Sequence, residues 1–297
     1  MPLFQGLAAF PITPADEDGR VDTAALRRLV RRLVDADVDS IGLLGSTGTY
    51  VYLGRAERRR AIEAAVDEAG GKVPVMAGVG ALRTDEAVAL ARDAKAAGAE
   101  AGLLAPVSYT PLLDDEVFAH FERVAGGSEL PICIYNNPSV THFTFSPELT
   151  ARLSAVPGVD AVKNPAPPAD KVAGHLADLR ARVPAGFSLG YSADANCPEA
   201  MLAGGDAWHS VLGGFFPKTA LAICRAAQAG DAAQTRRLAS YIAPLMALFP
   251  ELSGLRLAYA VNELLGLGKF APPRPVLPLP DAAKTKVAAV LRSLELD

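Results

Sequence analysis

The chain has 297 residues, half of them apolar, a formal net charge of −4 and an isoelectric point near 5.7. That length suits one α/β barrel, or a barrel with a small appendage. The mild acidity without a basic cluster gives no footing for nucleic-acid binding or an anionic membrane surface, and no apolar run reaches the length of a membrane span.

The N-terminal stretch Met1-Pro2-Leu3-Phe4-Gln5-Gly6 lacks a basic segment followed by an apolar core, so no signal peptide is expected. Residues 6–14, which include Phe10-Pro-Ile-Thr-Pro14, read as a short buried strand ended by proline. A turn at 16–19 leads to a helix over 24–37, with Leu26, Leu29, Val30, Leu33 and Val34 on one face and Asp22 or Thr23 as cap. A strand at 40–44, a helix at 55–69 and a strand at 73–77 follow. A helix over 84–97, capped by Thr84, ends at Gly98. The alternation continues with strands at 101–105, 131–135, 159–163, 187–190 and 207–211. The helices between and after them span 114–125, 146–154, 171–183, 198–203 and 219–229.

Eight short strands, apolar throughout, alternate with eight helices. That pattern is expected of a parallel sheet buried on both faces and closed into a TIM (β/α)8 barrel. Residues 1–230 make the expected barrel domain. Residues 231–297 make a C-terminal helical appendage, with helices at 232–248, 254–265 and 281–294 and a Pro-rich connector at 271–280. The three cysteines, Cys133, Cys197 and Cys224, are odd in number and show no CxxC pattern, which points to a reducing, cytoplasmic setting.

In such barrels the reactive groups sit at the carboxyl ends of the strands. Val159-Asp-Ala-Val-Lys-Asn-Pro165 is an apolar run ending in a single lysine, with a proline two residues on to stop the strand. A buried lysine is costly to keep charged, and a neutral amine is a nucleophile. Lys163 is therefore a candidate Schiff-base lysine, weighed against a lysine that simply leaves the strand into solvent. Other strand ends would face the same cavity. Gly45-Ser46-Thr47-Gly48 is a hydroxyl-bearing turn able to hold a carboxylate, or an ordinary βα turn. Tyr135 ends the fifth strand and could shuttle protons, or be a core tyrosine.

Gly45-Ser-Thr-Gly48, Tyr135-Asn-Asn-Pro138 and Lys163, in this order and at these spacings, resemble the dihydrodipicolinate synthase and N-acetylneuraminate lyase family, over the whole chain. The resemblance implies a class I aldolase, lyase or dehydratase on a TIM barrel, acting on pyruvate or a related 2-oxo acid. Lys163 would form the imine and Tyr135 would be the general acid/base. Ser46, Thr47 and Gly48 would hold the carboxylate, with Thr47 helping the proton relay. No cofactor or metal is implied. The family often takes a second tyrosine from a neighbouring subunit, in the loop after the fourth strand. Anchored on Pro106, that position holds Ser108; anchored on Pro111, it holds Tyr109, which is favoured here. A homotetramer built as a dimer of dimers is implied.

Three departures from the family pattern stand out. Thr49 replaces the usual glutamate. Val140 replaces the arginine that holds the aldehyde partner's carboxylate in the synthase. Asn164-Pro-Ala-Pro-Pro168 follows the lysine where acidic and small polar residues are common. Loss of the arginine argues against dihydrodipicolinate synthesis, because a carboxylate facing valine forgoes a charge-assisted bond of roughly 1.5–3 kcal/mol. Val140, His142, Gly190 and Ser192 are the expected lining of the distal pocket, with Tyr191 and Asp194 as further possibilities. His209 reads as barrel filling; His120 and His175 read as structural. A non-catalytic 2-oxo acid binding member and a sugar-acid dehydratase are the alternatives.

Overall fold

The computed structural model describes residues 3–294 and 296; Met1, Pro2, Glu295 and Asp297, at the two ends of the regions read above, lie outside it. Eight parallel strands close into a barrel in sequence order: β1 (Gly6–Ala9), β2 (Ser40–Leu43), β3 (Val75–Gly78), β4 (Ala101–Leu104), β5 (Ile132–Tyr135), β6 (Val159–Pro165), β7 (Ser188–Ser192) and β8 (Ala207–Ser210). The β1–β8 pairing completes the ring, so no edge strand is left open. Helices lie between consecutive strands. The chain is a TIM barrel followed by helices Ala232–Met246, Leu248–Leu252, Gly254–Leu264 and Asp281–Ser293.

Two apolar layers follow from the strand period of two. Side chains such as Leu7, Ile41, Val162 and Leu189 fill the space between strands and helices. Ala8, Phe10, Met76, Leu103, Cys133, Tyr135 and Ala161 fill the barrel interior. In β6 that alternation is reset by a bulge. Ile132 pairs with Val159 and the next residue, Cys133, pairs with Ala161, leaving exposed Asp160 as the extra residue. Val159 and Val162, three apart, therefore both face the helices, and Ala161 lies inside the barrel.

Several boundaries differ from the sequence reading. β6 runs on to Pro165, which pairs with Ser192, so the proline closes the strand as its last residue. Asp22 caps the helix Thr23–Asp35 by accepting from the Ala25 N–H. Thr84 is not a cap: its hydroxyl is 3.0 Å from His120 Nδ1, and Arg83 takes the cap position of Thr84–Ala96. Three short turns of helix, Tyr50–Tyr52, Pro138–Thr141 and Leu212–Phe215, follow strands β2, β5 and β8. They are too short to show a 3.6-residue period.

Candidate active site

The register places three residues of the candidate site at one level. Lys163 on β6 pairs with Tyr135 on β5 and with Gly190 on β7. Lys163 is buried, at 4% exposure, among rings. Its Nζ lies 3.7 Å from the centroid of Phe10 and 4.4 Å from that of Tyr135. The amine thus sits on two aromatic faces, within cation–π range of both.

The Tyr135 hydroxyl faces the turn after β2. Its oxygen is 3.1 Å from Ser46 Oγ, and Asn137 Nδ2 donates to it at 2.9 Å. Asn137 Nδ2 also reaches Ser46 Oγ at 3.4 Å. Thr47 is buried beside Ser46. Gly48 packs tightly on this turn, since a Cβ there would lie 2.9 Å from Leu44 Cα. Thr49, with φ 55, takes the left-handed conformation and donates its backbone N–H to Ser46 O, closing the turn. The Tyr259 hydroxyl is raised by burial, a shift opposed by its hydrogen bond with Thr49.

Below the lysine the barrel is filled by two rings. A Cβ on Gly42 would fall within the Phe10 ring, and one on Gly190 would fall against His209 Nε2. Gly190 is therefore the space into which His209 packs. His209 is 2% exposed, stands edge-on to Phe10 with centroids 5.9 Å apart, and has no protein partner for either ring nitrogen. Burial holds its pKa well below the usual imidazole value, and the charge of Lys163 adds to this. The Cys133 thiol, sealed in the same interior, is pushed up to about 12 by burial.

At the mouth, a cavity of about 230 Å³ is lined by Ser46, Tyr50, Val107, Ser108, Val140 and Thr141, among others. Among the described residues, its lining includes no arginine or lysine. Tyr50 is buried; its hydroxyl is raised by burial and, second, by Tyr135. Arg58 stacks over the Tyr50 ring, but its guanidinium donates to the carbonyls of Leu53 and Gly80.

The other expected residues lie as follows. Tyr109 is 98% exposed and is not part of the cavity lining, whereas Ser108 is. His142 is exposed, at φ 56. Ser192 spends its hydroxyl on the Asn164 carbonyl at 3.2 Å. Asp194 is not among the residues lining the mouth cavity. It is buried and accepts from Trp208 Nε1 at 2.7 Å and from the backbone N–H groups of Val211 and Leu212. Burial raises its pKa against the hydrogen bonds from Leu212, Ser210 and Trp208. Phe10, Tyr50 and Asn137 were not singled out as site residues by sequence; only Asn137, two residues after Tyr135 in the Tyr135-Asn-Asn-Pro138 motif, carried a local hint.

A strand-end lysine buried in a (β/α)8 barrel, with a tyrosine beside it and hydroxyls at the next strand end, defines a class I aldolase type of lyase. The chain belongs to the dihydrodipicolinate synthetase family, whose model matches residues 3–294. It is 35% identical over 286 residues to a 4-hydroxy-tetrahydrodipicolinate synthase of Thiobacillus denitrificans, covering 96% of this chain and 95% of that one. A crystal structure described as the dihydrodipicolinate synthase of Agrobacterium tumefaciens is 54% identical, with a TM-score of 0.96 and 98% of each chain covered. That of the Acinetobacter baumannii synthase, complexed with pyruvate, is 27% identical, with a TM-score of 0.91, covering 99% of this chain and 100% of that one. The members of this family are pyruvate-dependent carbon–carbon lyases. The names of these relatives stand against the expectation, drawn from Val140, that the chain is not a dihydrodipicolinate synthase.

Proposed function

We propose that the chain, a pyruvate-dependent lyase by family, acts through an imine between Lys163 and the keto carbon of pyruvate or a related 2-oxo acid. The observation that carries this is the burial of Lys163 against the Tyr135 ring, with the Tyr135 hydroxyl in contact with Ser46. The neutral lysine attacks the keto carbon, and the resulting carbinolamine loses water. Tyr135 gives the proton that this departing hydroxyl needs and then takes one from the neighbouring carbon as the enamine forms. Ser46 and Thr47, with the backbone opened by Gly48, hold the substrate carboxylate. No cofactor enters these steps.

The partner aldehyde that condenses or leaves occupies the mouth cavity. Valine, threonine and serine there suit a neutral or hydroxylated tail better than a second carboxylate. A second reading, 4-hydroxy-tetrahydrodipicolinate synthesis, is favoured by the names of the relatives, including the structure at 54% identity. A member that only binds a 2-oxo acid would not need the lysine and tyrosine brought together, and no observation favours a sugar-acid dehydratase. We further read the protein as a cytoplasmic homotetramer, with residues 1–230 the catalytic barrel and 231–297 its helical appendage. Its three cysteines are free and buried, as suits a reducing compartment.

Pyruvate with borohydride should leave a reduced three-carbon adduct on Lys163, read by peptide mass spectrometry. An adduct on another lysine, or none with any 2-oxo acid tried, would sink the imine assignment. A panel of aldehydes offered to the pyruvate-loaded enzyme then identifies the partner.

A further inference from the structure

We propose that Asn137 is a positioning residue that holds the Tyr135 hydroxyl in place and keeps a donor on its oxygen when Tyr135 has given up its proton. This rests on the imine reading above. Asn137 occupies the interior of the Tyr135-Asn136-Asn137-Pro138 motif, and its side chain turns back onto the tyrosine that opens it. Asn137 Nδ2 is 2.9 Å from the Tyr135 hydroxyl and 3.4 Å from Ser46 Oγ, and those two oxygens are 3.1 Å apart. The three groups form a closed triangle.

An amide nitrogen carries two hydrogens and accepts none. Both hydroxyl oxygens therefore receive from Asn137, and neither can point its own hydrogen at it. Between the two hydroxyls either oxygen can be the donor, so the Tyr135 hydrogen is free to turn to the substrate while the amide stays a donor to its oxygen. Once Tyr135 has given its proton to the departing hydroxyl, the amide N–H remains aimed at the phenolate oxygen, and a hydrogen bond to an ionised acceptor is stronger than one to a neutral oxygen.

The amide is held in that sense from behind. Its Oδ1 accepts from Ser139 Oγ at 2.7 Å. Its backbone carbonyl accepts from the Thr141 N–H and Thr141 Oγ1, both at 3.0 Å, and from the Val140 N–H at 3.1 Å. Four hydrogen bonds to its two acceptor oxygens thus hold the residue before any substrate arrives, as a positioning group must be held.

Two events share Lys163. The equilibrium amount of imine depends on the lysine and the carboxylate pocket. The rates of water loss and of proton removal from the methyl group depend on Tyr135 giving and then taking a proton, the steps that the Asn137 donor assists. Pyruvate alone, in deuterated water, reads both: borohydride trapping at long times gives the amount of imine, and deuterium entering the pyruvate methyl group gives the rate of enamine formation.

Asn137→Leu keeps the approximate volume and removes both donors; Asn137→Asp keeps the shape, supplies acceptors only, and serves if the leucine variant does not fold. The expected result is wild-type adduct on Lys163 at long times with deuterium entry slowed about tenfold, the effect of one ordinary hydrogen bond. Wild-type exchange in a folded variant of either kind overturns the proposal. So does parallel loss of adduct and exchange, which would make Asn137 part of the binding pocket or the fold. Absence of any adduct in the unmodified protein overturns the imine reading itself, and this inference with it.

Discussion

The ring of Phe10 occupies the place a Cβ of Gly42 would take, and the same ring lies 3.7 Å from Lys163 Nζ. A glycine on β2 thereby seats a ring from the end of β1 as the floor beneath the lysine on β6. Gly42→Ala should displace Phe10, lower stability by about 1–3 kcal/mol as overpacking does, and reduce the yield of trapped adduct on Lys163. Urea unfolding and borohydride trapping on the same sample check this. Unchanged values in both would show that the ring is not held by the glycine.

Tyr135→Phe should slow turnover by roughly 10²–10⁴-fold, the range for one general acid/base group, and leave the fold intact. Asn137 Nδ2 and Ser46 Oγ, 3.4 Å apart, would still have each other as partners once the phenol oxygen is gone. Full turnover by the phenylalanine variant on a confirmed substrate would take Tyr135 out of the chemistry.

The barrel and the lysine were legible in the sequence because each leaves a local mark: short apolar runs at regular intervals, and one lysine at the end of one of them. The Phe10–Gly42 contact left none, since the two meet only when β1 and β2 lie side by side in a closed barrel. The partners of Asp194 were hidden for a related reason. Its donors, Trp208, Val211 and Leu212, come from β8 and the turn after it, and a buried carboxylate satisfied from the next strand looks in sequence like any polar loop residue. Asn137 stood inside a recognised motif, but an amide in a turn has no periodicity, and only the distances show what it touches.

Stability should fall as the solution is acidified through the histidine range. Burial depresses the pKa of His209 strongly and those of His120 and His175 in the same direction, so the folded protein holds these imidazoles neutral below their ordinary pKa. Above about pH 6.5 they are neutral in both states and cost nothing. Below it the unfolded chain gains protons that the folded chain refuses, and stability drops by about 1.4 kcal/mol per pH unit for each fully affected group. Asp194, raised by burial, has the opposite sign and acts above its unfolded pKa. His209→Leu should flatten the acid slope by about one proton's worth. Urea midpoints from pH 8 to pH 5 measure it, and an equal slope in the two proteins would clear His209 of the effect.

The unmodified protein should condense pyruvate with aspartate semialdehyde poorly or not at all. Val140 lines the mouth cavity and is 55% exposed, and among the described residues no arginine or lysine lines that cavity with it. Val140→Arg should raise that weak activity if the rest of the pocket admits the substrate, by restoring a bond of roughly 1.5–3 kcal/mol to the aldehyde's carboxylate. Efficient condensation by the unmodified protein would decide for the reading that the relatives' names favour and against the one drawn from Val140.

Tyr109 stands almost fully exposed on the loop after β4, between Pro106 and Pro111, while Val51, Tyr52 and Val140 around the cavity mouth are exposed as well. Proline fixes φ at both ends of the loop, which stiffens it enough to project a side chain. On the homotetramer proposed above, a ring held out in this way is expected to enter the site of a second copy. Tyr109→Ala should therefore lower turnover and weaken association together, the second seen by sedimentation at falling concentration. A fully active monomer of the unmodified protein would contradict both the exchanged loop and the tetramer. A fully active tetramer of the alanine variant would keep the assembly and return the relay position to Ser108, which already lines the cavity of its own chain.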